Sequence, residues 1–273
     1  MAKLHGLRDE MGERMKNFYE NRAKTYLIRN TPVIIRVDGN AFHTLTKGME
    51  KPFDNVLMET MQETMVEMCK EIGGCVFGYT QSDEISLLLV DYKRLNSDAW
   101  YDYGVEKLAS RAASKATNKF NQIFKKKAEE AIKNSELDEK VVRAYKKAIA
   151  KGAEFDGRCF NVPKEEVTNY FFWRQLDAST NSVAMLAQSQ FSPSELHKKS
   201  WSDMQDMLMI EKGINWNKYS TSVKRGTCCK KVIKVVTGKN GTKTDRNVWE
   251  LDMDIPEFKG EDRIYIEEVV NYW

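Results

Sequence analysis

Between Val33 and Val162 the chain alternates strand-like and helix-like patterns in the order strand, helix, strand, strand, helix, strand, and few folds accept that order. Pro32 opens VIIRVDG, a β-branched run that ends at Asp38 and Gly39 and reads as a buried strand. In the following segment Asp54 or Asn55 can cap a helix carrying Val56, Leu57, Met61, Met65, Met68 and Cys69 at mostly helical spacing. This methionine stripe is core packing. Gly73 and Gly74 stop the helix, and CVFGYT and ISLLLVDY are two strands flanking a short turn with Gln81, Ser82 and Asp83. Helical patterns return over 100–124 and 137–151, and FDGRCFNVP forms the fourth strand. The fold class is therefore α+β, a ferredoxin-like βαββαβ sandwich.

Polymerase-type palms, nucleotide cyclases and RNA-recognition modules share this topology, so it does not fix a function. The flanks add an amphipathic helix over about 7–23, a long helix over 164–190, a helix start at Ser192-Pro193-Ser194-Glu195 and a hairpin around Asn240–Gly241. No repeat or long flexible linker interrupts the chain. We read 1–273 as a single catalytic domain, with a palm core over about 30–165 and a helical and hairpin extension over about 166–273.

Lys and Arg number 43 against 40 Asp and Glu, so bulk charge names no partner and a nucleic-acid surface must come from clustering. Five cysteines with no Cys-x-x-Cys spacing and three histidines give no zinc pattern, and they suit idle thiols in a reducing compartment. The charged N-terminal stretch is not a signal peptide, and no apolar run is long enough to span a membrane. A cytoplasmic location is expected.

In the βαββαβ topology the first and third strands are antiparallel neighbours, which brings Asp38 and Asp83 to one edge of the sheet. Two such carboxylates can hold magnesium, which takes oxygen ligands and keeps waters or substrate phosphates in its remaining positions. Two ions about 3.5–4 Å apart can stabilise both the attacking and leaving oxygens of an in-line displacement. The Gly39 carbonyl is a further candidate ligand. Glu84 follows Asp83 directly and in a strand points to the other face, as an outer residue or a ligand on bent backbone. Taken alone, each aspartate can equally be a residue that closes a turn.

The motifs RVDGNAFH (Arg36 to His43), KPFD (Lys51 to Asp54), GYTQSDE (Gly78 to Glu84), FDGR (Phe155 to Arg158), WRQ-x-D-x-x-x-N (Trp173 to Asn181) and KRGT (Lys224 to Thr227) occur in this order. Together they resemble the tRNA-His guanylyltransferase family, with its guanylyltransferase-like branch. The resemblance implies a polymerase-like palm run in reverse. An RNA 5′-monophosphate is activated with ATP or GTP, and the 3′-hydroxyl of an incoming nucleotide then attacks the activated end. It implies Asp38, Gly39 and Asp83 as metal ligands, Glu84 as a further catalytic residue, and two Mg2+ ions with nucleoside triphosphates as substrates. Asn40, Ala41, Phe42, His43, Lys51 and Ser82 are implied at the nucleotide and its triphosphate. It further implies tRNA as partner and a homotetramer. Eukaryotic members that add G to tRNA-His carry His-Ile-Asn-Asn where this chain has Ser179-Thr180-Asn181-Ser182. That departure favours the branch that rebuilds truncated tRNA 5′ ends from a template, with single-G addition to tRNA-His as the alternative.

Lys107, Arg111, Lys115 and Lys119 repeat every four residues in a stretch without acids, which points to phosphate contact at the triphosphate or the RNA backbone; a solvated helix face is the other reading. We therefore count Lys107 and Arg111 among the nucleotide-binding candidates. Trp173 reads as core, whereas Arg174, Asp177 and Asn181 share a polar helix face. A non-catalytic RNA-binding module would need aromatic residues at mid-strand, and VIIRVD and ISLLLVDY offer almost none. A nucleotide cyclase would use the same aspartates without the basic stripe or the WRQ segment.

Overall fold

The computed structural model describes residues 2–94, 96–237 and 243–271. Its helices are α1 (Ala2–Phe18), α2 (Phe42–Leu45), α3 (Asn55–Glu71), α4 (Val105–Asn134), α5 (Glu139–Lys151), α6 (Lys164–Gln190), α7 (Trp201–Lys212), α8 (Thr221–Arg225) and α9 (Ile264–Asn271). Its strands are β1 (Val33–Gly39), β2 (Cys75–Gln81), β3 (Glu84–Leu89), β4 (Phe155–Asn161), β5 (Thr227–Thr237) and β6 (Lys243–Asp252). They form one sheet in the order β4-β1-β3-β2-β5-β6, with every neighbouring pair antiparallel. The first four strands reproduce the expected ferredoxin-like core, and the C-terminal hairpin extends that same sheet beyond β2.

Alternation along the strands divides the core in two. Val33, Ile35 and Val37 of β1 join Ile85, Leu87 and Leu89 of β3 beneath α3 and α4, where Met61, Met65 and Met68 form the expected methionine stripe. Ile34 and Leu88 face the other way, against Val167 and Phe171 of α6 and Ile266 of α9. α4 approaches closely because its inward row, Leu108, Ala112, Ala116 and Phe120, is mostly small. The sheet pairs with β5 just after Gly226, whose φ is +83° and where a Cβ would lie 2.6 Å from the Thr80 carbonyl oxygen. Only glycine permits that approach. The Tyr79 hydroxyl donates to the Arg225 carbonyl at 2.6 Å and locks the junction.

Local expectations change in places. The N-terminal helix ends at Phe18 and gives way to a 3-10 turn over Glu20–Ala23. Its apolar residues Leu7, Met11, Met15 and Phe18 are exposed within one chain. After Ser192 the Glu195 carboxylate does accept from the Ser192 backbone at 2.7 Å, as a capping box requires. The segment nevertheless stays a series of turns, with Lys198 at φ +58°, and α7 starts only at Trp201 behind a Ser200–Asp203 capping box. The hairpin strands are long and pair through Thr237↔Lys243, but its turn at Asn240–Gly241 lies outside the described residues.

Asp54 caps α3 by accepting from the Leu57 backbone at 2.9 Å, and it also accepts from the buried Tyr145 hydroxyl at 2.9 Å. Asp54→Ala removes a helix cap and orphans a buried donor, so it should cost about 2–4 kcal/mol of stability, read as a lower urea midpoint at unchanged slope. Tyr145→Phe should cost less, because the cap survives.

Candidate active site

The functional edge of the sheet is built from a tight turn. β2 and β3 are joined through Ser82 and Asp83 alone, with Gln81 facing Glu84 across the ladder. Ser82 takes φ +51°, the positive value that suits the twist of a two-residue hairpin loop. The Gly39 N–H donates to the Asp83 carbonyl at 3.1 Å and ties this turn to the end of β1. A Cβ on Gly39 would fall 2.2 Å from the Phe42 ring, which is wedged edge-on against Phe120 and Phe155. The chain can therefore turn sharply behind Asp38 only with glycine there. Asn40 then donates its N–H to the Glu154 carbonyl at 2.8 Å, and Ala41 takes φ +52°.

Asp38 and Asp83 thus meet at one edge, as expected from the topology. Glu84 comes out differently in one respect. Asp83 lies in the turn rather than in a strand, and Glu84 is the direct ladder partner of Asp38. Direct antiparallel partners share a face, so both point to the α6 side along with Arg36. The Glu84 carboxylate is nevertheless taken: it accepts from Arg174 Nε at 2.8 Å and from the Ser86 hydroxyl at 3.3 Å, and it lies 4.0 Å from Arg36 Nε. Arg174 reaches on to Asp177 at 2.9 Å. Ser86 also shares a hydrogen bond with the Tyr170 hydroxyl at 2.8 Å. Burial raises the Glu84 carboxyl above its usual range, and the guanidinium groups of Arg174 and Arg36 offset part of that rise. Glu84 thus braces the edge from beside Asp38, on the α6 face.

Burial raises the Asp83 carboxyl too, and the negative charge of Asp38 pushes it further up. Two carboxylates this close, one of them raised by burial and by the charge of the other, suit a hard divalent cation. Among the described residues no group of three His, Cys, Asp or Glu is arranged to hold a metal. A magnesium ion would accordingly take Asp38, Asp83, backbone carbonyl oxygen and water or phosphate oxygens, which is its ordinary habit.

A cavity of about 330 Å³ opens beside the turn, at the lower end of the size range for ligand pockets. Gln81, Ser82 and Asp83 form one wall, and Phe42, His43 and Thr46 another. Phe53, Leu57 and Met58 supply an apolar floor, while Ala178, Asn181, Ser182 and Met185 of α6 close the far side with Ser222, Val223 and Gly226. Of the residues expected at a nucleotide, Phe42, His43 and Ser82 line this cavity, whereas Asn40, Ala41 and Lys51 do not. Phe42 lines it from the core, being buried. Lys51 is exposed in the loop before α3.

The basic stripe of α4 is broken up. Lys115 meets Glu71 at 2.6 Å, Lys119 meets Glu71 and Glu67, and Lys127 meets Glu59 and Glu63 at 3.2 Å each. The acids repeat every four residues along α3, a periodicity visible in the sequence that complements the lysines. Lys107 and Arg111 are exposed and form no ion pair among the described residues. The structure does not bring them to the cavity. α3 starts at the cavity with Leu57 and ends away from it at Glu71, and Lys107 and Arg111 lie further on, where Lys107 borders a separate depression with Tyr26 and Tyr101. The α6 wall was partly legible through Asn181. The floor was touched by the KPFD motif through Phe53, and the 222–226 wall left no sequence signal beyond the KRGT motif.

With this geometry in hand, the matches to known proteins are informative. The model of the tRNAHis guanylyltransferase (Thg1) family matches residues 12–163, more than half of the chain. The chain belongs to the Thg1 family. It is therefore a nucleotidyltransferase of the tRNA(His) guanylyltransferase kind. A bacterial Thg1-like protein solved in complex with ATP is 39% identical, with 95% of this chain and 98% of that one covered at a TM-score of 0.79. A bacterial Thg1-like protein in complex with GTP is 37% identical, covering 96% and 99% at a TM-score of 0.76. The tRNA(His) guanylyltransferase of Debaryomyces hansenii is 27% identical over 217 residues, 75% of each chain. Among the described residues no helix is long and apolar enough to cross a membrane.

Arg174→Leu should leave Glu84 buried opposite Arg36 alone and lower stability by about 3–5 kcal/mol. Adding Glu84→Leu should recover only part of that loss, because it removes the orphaned carboxylate but leaves the Arg36 guanidinium without its partner. The coupling is measured by a double-mutant cycle in urea.

Proposed function

We propose that this chain adds nucleotides in the 3′-to-5′ direction to the 5′ end of a tRNA, choosing each base against the opposite strand. The observation that carries this reading is the Asp83 turn held against the end of β1, with the cavity opening beside it. The incoming nucleoside triphosphate sits with its base over the apolar floor of Phe53 and Leu57, its triphosphate toward Ser82 and Asp83, and His43 at the rim. Asp38 and Asp83 would hold magnesium, and the ion would supply charge neutralisation for an in-line displacement at phosphorus. Asp38 and Asp83 orient the reacting phosphate between the two substrates, and the Glu84–Arg174 brace keeps that edge from moving. The ATP and GTP complexes of the two bacterial relatives support triphosphates as substrates, with ATP or GTP activating the RNA 5′-phosphate before the nucleotide 3′-hydroxyl attacks.

The Ser179–Ser182 stretch supports repair over a single dedicated G. Asn181 and Ser182 line the cavity. Ser182 accepts from Trp216 Nε1 at 2.9 Å, and Ser179 lies 3.0 Å from the Lys224 carbonyl. Small hydroxyls occupied in this way leave the wall without a bulky selective side chain. Single-G addition to tRNA-His is the second reading. The exposed apolar row of α1 supports assembly as a homotetramer. The unpaired Lys107 and Arg111 support contact with the RNA backbone away from the cavity.

Asp38→Ala and Asp83→Ala should each lower nucleotide addition by roughly 10²–10³-fold or more while thermal unfolding stays that of a folded protein. Addition is measured on two 5′-monophosphorylated tRNAs, one full-length tRNA-His and one lacking its first residue. Templated repair of the truncated tRNA is the expected result, and G on tRNA-His alone would favour the second reading. Lys107→Glu with Arg111→Glu should flatten the dependence of log affinity on log salt by about two, and an unchanged slope would remove these residues from the RNA surface.

A further inference from the structure

Two surfaces flank the carboxylate pair, and the cavity accounts for the one beside Asp83. On the side of Asp38, β1 and β4 set Arg36 and Arg158 next to each other as direct ladder partners. Trp173 of α6 lies over Arg36 on that face of the sheet. Its indole is 49% exposed, against the expectation of a core residue, although Tyr170, Phe171 and Arg174 around it are buried. The ring is fixed from behind. Tyr170 meets it edge-on with centroids 6.0 Å apart, and the Arg174 and Arg36 guanidinium carbons lie 4.3 and 5.8 Å from its centroid. Arg36 Nε is buried without a hydrogen bond among the described residues. Arg36 precedes Asp38 by two residues on the same strand face, about 7 Å along the strand. An indole braced by two cations, one of them on the strand that ends at Asp38, and left half open is a stacking platform.

We propose that the open face of Trp173 receives the 5′-terminal base of the RNA, with Arg158 meeting the adjoining phosphate. This rests on the reading of the chain as an RNA 5′-end nucleotidyltransferase and assigns the second substrate its side. The nucleotide approaches past Asp83, the RNA end past Asp38, and the carboxylates lie between them. Stacking on an aromatic face tolerates any base, which suits an enzyme that must hold whichever base the previous addition left. Arg158 is half exposed, and its pairing with Asp156 at 3.2 Å is a surface contact that a phosphate can replace at little loss.

The test compares a 5′-monophosphorylated RNA hairpin with the same hairpin carrying an abasic 5′-terminal nucleotide, by fluorescence anisotropy in magnesium-free buffer. Wild type should bind the base-bearing hairpin about tenfold more tightly. Trp173→Ala should bind the two alike, and Trp173→Phe should keep most of the preference. In magnesium, Trp173→Ala should raise the KM for RNA about tenfold with the KM for GTP unchanged. A preference that survives in Trp173→Ala would overturn the assignment, as would equal binding of both hairpins by wild type or no binding at all. Failure of wild type to extend any 5′-monophosphorylated RNA would instead remove the proposed function, and the anisotropy preference is read without catalysis.

Discussion

The hydrogen bond from the Gly39 N–H to the Asp83 carbonyl joins two segments that are remote in sequence and would otherwise end independently. β1 could stop anywhere, and a two-residue hairpin loop normally hangs in solvent. Once tied together, the end of one strand and the tip of another hairpin become a single rigid edge. Both of its carboxylates are then held where neither can relax away from the other. The bond depends in turn on a residue without a side chain at position 39 and on the wedged ring of Phe42 behind it.

The energetic consequence is a site that is destabilised by itself and waits for positive charge. Burial and mutual repulsion raise the Asp83 carboxyl, while the nearest guanidinium groups, Arg36 and Arg174, are committed to Glu84. A fully paired edge would have been more stable and would have offered nothing to a metal ion or a phosphate. The strain of like charges at the tip is the kind of local conflict that functional sites retain.

Much of this was readable from the chain because it rests on strong local signals. β1 follows from its β-branched run and β3 from its run of apolar residues, and the joint placement of Asp38 and Asp83 follows from strand order. Lys164–Gln190 is a helix with the expected bounds, because Pro163 starts it and a continuous helical pattern carries it. What escaped were features decided by tertiary partners. Trp173 is apolar and sits beside buried Tyr170, Phe171 and Arg174, yet the side of α6 on which it falls is uncovered. Lys115 and Lys119 form an all-positive row until α3 presents Glu67 and Glu71. The segment after Ser192 has the residues of a helix start and makes their hydrogen bonds, but Lys198 turns the chain away.

The central claim is that Asp38 and Asp83 form the cation site while Glu84 braces it from beside Asp38. Manganese binding in the presence of GTP, followed by electron paramagnetic resonance, separates these roles most directly. Asp38→Asn and Asp83→Asn should each lose nucleotide-dependent manganese binding, and Glu84→Gln should retain it with reduced thermal stability. Loss of binding in Glu84→Gln equal to that in the aspartate variants, or binding that persists in both of those, would contradict the assignment.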